Sequence, residues 1–166
     1  MHRLTLAALV CLIGCSSSQP DAGVAFRAAE APIYSAAILE QPRLAGRWIQ
    51  VAGFSESSQN SCSAGAAEFG QSRSGTDVDA QLCLNGRKMR VAGALIPTGP
   101  GRFAVAGMED WWVLWVDSDY RTLVIGTPSG RFGFVLDRGE IAPDRLTAAT
   151  EIFDFNGYTT TALKAF

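Results

Sequence analysis

Histidine is almost missing from this chain: one residue in 166, His2, near the start of an apolar N-terminal run. A Ser-His-Asp triad, a Cys-His pair and a histidine metal site each need an imidazole, so none survives removal of that run. Cysteine is scarce as well. Cys11 and Cys15 belong to the same N-terminal region, and the remaining two, Cys62 and Cys83, lack the Cys-x-x-Cys spacing of a metal or redox centre. Charge is thin at 18% of residues and slightly acidic at −2, which argues against nucleic acid as a partner. The one long apolar run, Leu4 to Ile13, falls short of the ~18–20 residues a membrane span needs.

What is present begins with that run. His2 and Arg3 precede it, Thr5 alone interrupts it, and it stops at Leu12-Ile13-Gly14-Cys15. This is the pattern of a secretion signal. Leu-Ile-Gly-Cys also resembles the bacterial lipobox, which implies a lipoprotein signal peptide over 1–14 and diacylglycerol on Cys15; an ordinary cleaved signal is the alternative. The mature chain would carry 13 basic against 16 acidic residues, a charge of −3. Residues 15–32, with Ser16-Ser17-Ser18-Gln19-Pro20 and then alanines, have no strand or helix pattern and read as a flexible tether. Ser16 lacks the aspartate that favours inner-membrane retention, so the resemblance implies a periplasm-facing outer-membrane protein. In that oxidising compartment Cys62 and Cys83 form a disulfide worth about 3 kcal/mol, or else stay two separate buried thiols.

A single domain, 33–166, follows, with 48% apolar residues in the whole chain, enough for a real core. Leu44–Phe54 reads as a glycine turn running into an alternating first strand, and further strands are predicted at Ala64–Phe69, Val78–Leu84, Arg87–Ile96, Arg102–Ala106, Trp111–Val116, Thr122–Gly126 and Arg131–Asp137. Asn85-Gly86 is a hairpin signal. Ile33 to Leu39 is read as a helical turn closing the base. Eight short strands with tight turns suggest an all-β, up-and-down antiparallel barrel. Pro143 then opens a short helix whose Leu146, Ala149 and Phe153 form an apolar stripe for the barrel's outside, and Tyr158–Leu163 reads as a ninth strand.

Gly46-Arg47-Trp48 at the head of the first strand matches the Gly-x-Trp signature of the lipocalins. Asp117-Ser118-Asp119-Tyr120-Arg121 is similar to their Thr-Asp-Tyr signature, with Ser118 in place of Thr, and Arg138 to their third. The chain thus resembles the lipocalin family over residues 33–166, and in particular the bacterial outer-membrane lipocalin lipoproteins. The resemblance implies that Arg138 stacks on Trp48 at a closed end where Gly46, Asp119 and Tyr120 are structural. It also implies inward parity for Trp111, Val113 and Trp115 on strand six and for Phe132, Phe134 and Leu136 on strand eight. Alternation adds Phe54 to the inner face of strand one, together with Trp48, Gln50 and Ala52.

An inner wall of this kind suits an apolar ligand such as a fatty acid or lysophospholipid, bound for transport or storage without cofactor, metal or catalysis. The many strand alanines argue for room inside; the alternative is a barrel filled by its own side chains and used as a protein-interaction scaffold. A lipid-modifying enzyme is the other rival, with Cys83 as a free thiol for its nucleophile. Glu109-Asp110 reads as a solvated turn tip, Ser55–Ser63 as a loop over the barrel mouth, and the outer face of strand six as an apolar patch open to a homodimer partner.

Overall fold

The computed structural model describes residues 24–56, 62–73 and 75–166. The signal, Cys15 and the first part of the tether lie outside these residues, as does most of the expected mouth loop. The strands are β1 (Gly46–Phe54), β2 (Ala66–Ser72), β3 (Gly75–Leu84), β4 (Arg87–Gly99), β5 (Arg102–Val105), β6 (Trp111–Val116), β7 (Thr122–Gly126), β8 (Gly133–Asp137) and β9 (Leu163–Ala165), with one helix, α1 (Pro143–Phe155). Neighbours pair antiparallel in the order β2-β3-β4-β5-β6-β7-β8-β1-β9, and β1 also pairs with β2 from Gly46↔Phe69 to Ile49↔Ala66. That last pairing closes an eight-stranded barrel and leaves β9 as an extra strand. Closure removes most of the free edges that an open sheet would present. The thinnest seam is β5–β6, held by two residue pairs.

Local chemistry explains the joints. Asn85 and Gly86 take positive φ of 46° and 71°, the backbone that a two-residue hairpin demands. Pro143 starts α1, where its missing N–H costs nothing. The helix stops at Asn156, with Gly157 at φ 79° and the amides of Gly157 and Tyr158 returning to Asp154 and Phe153 carbonyls. Ala149 and Phe153 are buried against the barrel's outside as the stripe requires. Several boundaries differ from expectation: β2 is displaced to Ala66–Ser72, β3 begins three residues early at Gly75, β4 runs on to Gly99, β5 stops at Val105 and β8 starts at Gly133. The helical turn at the base is Gln41–Leu44, nucleated by Pro42, while Ile33–Leu39 is irregular. The ninth strand is only Leu163–Ala165, because Tyr158 is diverted into a bridge with Arg27 and Thr160–Ala162 coils tightly.

Two cores result. One fills the barrel, with Trp48, Leu82, Leu95, Phe103, Trp111 and Phe134 among its members; the other lies outside, where Phe26, Phe54, Leu114, Val124, Val135 and Phe153 pack between sheet, helix and N-terminal segment. The expected tether is therefore shorter than residues 15–32. From Phe26 onward the chain is docked: Phe26 N–H donates to Gly130 O at 2.8 Å and Thr159 N–H donates to Phe26 O at 2.7 Å. Arg27, itself buried, donates to the carbonyls of Asn156, Pro128 and Ala31.

Candidate functional site

The closed end is built from the motif residues. Trp48 is fully buried and donates from Nε1 to Leu44 O at 2.8 Å, and the Arg138 guanidinium lies 3.9 Å from its ring centroid. Arg138 also donates to the carbonyls of Arg43 and Leu44, at 2.8 and 3.3 Å. Burial pulls its pKa below the ordinary guanidinium range, with Glu68 acting the other way. Gly46, at φ 99°, lets Arg138 approach: a Cβ there would meet its guanidinium at 3.0 Å. Tyr120, also at positive φ, accepts from Glu40 N–H at 2.7 Å and carries Arg43 over its ring at 4.0 Å. The carboxylate that organises this turn is Asp117, whose Oδ1 accepts from the amides of Arg121 and Thr122. Asp119 is exposed.

The expected inner wall is only partly realised. Trp111, Val113, Phe134 and Leu136 belong to the barrel core, with Phe132 half-buried against it. Phe54 and Trp115 do not; both pack in the outer core. The cause is the same in each strand. β1 shifts register between Gln50 and Ala52, and β6 between Val113 and Trp115, so a bulged residue on each reverses the alternation beyond it. Trp112 and Trp115 consequently share the outer face, where Trp112 takes Arg102 over its ring at 3.8 Å. Leu114 is buried there and Val116 turns inward, so the expected bare patch on strand six is covered from within the chain. Trp115→Ala should lower stability by about 2 kcal/mol through lost contact with the outer core and leave acyl-ligand affinity unchanged, as urea unfolding and probe titration of one sample would register.

Room inside is also less than the alanines suggested. Ala64, Ala92 and Ala106 are exposed, Ala66, Ala94 and Ala104 half-exposed, and Ala52 lies in the outer core. Leu82, Leu123, Phe134 and Leu136 have no accessible surface and Trp111 only 1%. A void large enough for water would leave surface on such walls, so side chains fill the barrel around these residues in the absence of ligand. Half-buried hydrophobics flank this core at both ends, Leu39 and Val116 at the closed end and two more at the open end. There Phe132 and Met108 are half-buried against the core, on adjoining turns that Glu109 ties together by accepting from Ser129 N–H at 2.7 Å. Glu109 is thus a clasp between turns and not a solvated tip.

Nothing in its sequence neighbourhood marks Gln50 as special. Wholly buried, its Nε2 donates to Cys83 O at 2.8 Å while its Oε1 accepts from the amides of Cys83 and Gly65, at 2.8 and 3.2 Å. It clamps the loop that follows β1 to the end of β3. Cys62 and Cys83 form a disulfide over the same contact, with Cα atoms 5.8 Å apart, so no free Cys83 thiol is available as a nucleophile. Tyr158 closes the opposite side: its hydroxyl accepts from Thr127 N–H at 2.8 Å, and burial pushes its pKa up. Among the described residues no group of three or more His, Cys, Asp or Glu could hold a metal ion. A separate surface groove runs outside the barrel, lined by Ile49, Val51, Ala64, Ile141 and Phe166.

A closed antiparallel barrel, a base plugged by Arg stacked on Trp, and a helix packed outside define a class of small β-barrel domains. The family model described as the lipocalin-like domain matches residues 39–166, and the chain belongs to that family. Among solved structures, lobster apocrustacyanin A1 is similar at 15% identity and TM-score 0.57, covering 81% of this chain and 88% of that one. Apocrustacyanin C2 is similar at 16% identity and TM-score 0.54, covering 74% and 76%. No curated protein matches in sequence.

Proposed function

We propose that this protein is a lipid-anchored lipocalin of the bacterial outer membrane, facing the periplasm, that binds one small apolar ligand of the fatty acid or lysophospholipid kind at the barrel mouth. The observation that carries the reading is the hydrophobic inner wall, which ends at the open side in half-buried Met108 and Phe132. Toward the open end the inner face carries Ala80, Leu82 and Leu84 opposite Val91, Met89 and Arg87, and the hydrophobics half-buried at the rim include Met108 and Phe132. Methionine is unbranched and rearranges cheaply, so an acyl chain can enter by displacing it. Binding in place of catalysis suits a wall of this kind, and Cys83, the candidate nucleophile, is held in its disulfide with Cys62.

The anchor fits this geometry. Phe26 is docked beside Gly130, in the turn between β7 and β8 at the open end, eleven positions after Cys15. At full extension those residues reach at most about 36–40 Å, which keeps the mouth near the bilayer that would supply the lipid. Cys15→Ala should move the protein from the membrane fraction to the soluble one with the barrel intact. Persistent membrane attachment with unchanged processing would remove the lipoprotein reading. For the ligand itself, titrating detergent-free Cys15→Ala protein with a fluorescent acyl probe should give saturable one-to-one binding that Phe132→Ala weakens. The packing inside the barrel favours one second reading, a filled scaffold for protein contacts, and it requires that no probe binds.

A further inference from the structure

The barrel encloses two fully buried tryptophans, and they are treated differently. Trp48 at the floor donates its indole N–H to Leu44 O. Trp111 is 1% exposed, and its Nε1 has no hydrogen-bond partner. Its position gives that orphan meaning. Trp111 is the first residue of β6, three positions after Met108, and it stands at the inner end of an aromatic run from the rim: Phe132 to Phe134 at 6.5 Å between centroids, then Phe134 to Trp111 at 5.2 Å, edge to face. The Phe134 ring is at best a weak acceptor for an N–H. A buried donor left unpaired is costly, and native structures rarely keep one without use.

We propose that the Trp111 indole N–H is the polar contact of the ligand site, and that it selects an apolar molecule carrying a neutral oxygen acceptor, such as an acyl ester or long-chain ketone, over a hydrocarbon or a free carboxylate. This rests on the reading of the mouth as a ligand site and narrows it. An oxygen acceptor placed near Met108 and Phe134 repairs the orphan donor, which a bare hydrocarbon cannot do. A carboxylate reaching the same atom would be buried among hydrophobic side chains, while the Arg138 guanidinium is engaged at the closed end and Arg87, opposite Leu84 on the inner face, is held out in solvent at the rim. Of the ligand classes that suit an apolar barrel, the ester-linked acyl chain is therefore favoured over the ionised fatty acid.

The test uses Cys15→Ala protein, ¹⁵N-labelled and free of detergent, with methyl dodecanoate, 2-tetradecanone, tetradecane and dodecanoate as probes. The indole signal of Trp111 is assigned by its loss in Trp111→Phe. Ester and ketone should bind about tenfold more tightly than tetradecane and move the Trp111 indole proton downfield. Tetradecane and dodecanoate should leave that proton in place, and in Trp111→Phe the ester and the alkane should bind alike. Equal affinities in the wild-type barrel, or a preference that persists in Trp111→Phe, would overturn the assignment while leaving the mouth a ligand site. Should that variant fail to fold, the indole signal is assigned instead by its Overhauser contacts to the Phe134 ring, and its shift in the wild-type barrel then decides. Failure of every probe to bind would overturn the site and this assignment together.

Discussion

Trp48→Ala should destabilise the protein by about 4 kcal/mol and lower its melting temperature by roughly 10 °C or more, read by calorimetry. Three losses combine. The largest indole in the floor is removed from a site with no accessible surface, and the packed neighbours cannot collapse into the space without breaking the β1–β2 closure. The Leu44 carbonyl loses its indole donor. Arg138 loses the ring it lies on and keeps only its carbonyl partners, so a desolvated cation is left less well compensated. Trp48→Phe restores bulk and a ring face but not the N–H, and should recover more than half of the loss. A change below about 1 kcal/mol for alanine would mean that the floor is not a structural keystone.

At the mouth, Gln50→Ala should cost about 3 kcal/mol, and Gln50→Leu nearly as much although it keeps the side chain's bulk. The reason is the number of backbone groups that Gln50 satisfies. Without its amide, Cys83 loses partners for both its N–H and its carbonyl and Gly65 loses one for its N–H, in a region where Gln50 and Cys83 are buried. Hydrogen exchange at the Cys83 and Gly65 amides should accelerate in both variants ahead of global unfolding. If leucine were tolerated with near-native stability, packing would be the only role of Gln50. The Cys62–Cys83 disulfide would then be what holds this loop against the barrel.

How far the sequence revealed this protein depends on how local each device is. Gly46, Trp48 and Arg138 were legible because their residue types are distinctive and the glycine that makes room for Arg138 stands two positions before the tryptophan on which Arg138 lies. Asn85-Gly86 was legible for the same reason, since a two-residue turn is decided by its own backbone. The inner faces of β1 and β6 were legible only as far as their bulges. Neither Val51 nor Leu114 announces that alternation stops there, because bulges are set by pairing with β8 and β7 across the sheet. Phe54 and Trp115 were assigned to the wrong face on that account. Phe26 and Arg27 were hidden by distance, since Arg27 meets Pro128 and Asn156 more than a hundred residues away. Gln50 looked like any polar residue in a strand, for its worth lies in three backbone groups that only the fold gathers round it.

The central claim is that an apolar ligand sits in the barrel mouth and not on the outside, where the groove of Ile49, Val51, Ile141 and Phe166 offers a competing apolar surface. Intermolecular nuclear Overhauser contacts between a lysophospholipid acyl chain and methyl-labelled Cys15→Ala protein decide between them. Contacts from the acyl chain to the Met108 methyl and to Leu84, and none to Ile49 or Ile141, are the expected result. Contacts confined to Ile49 and Ile141, or no contacts from a lipid in excess, would contradict it and leave the barrel a packed scaffold.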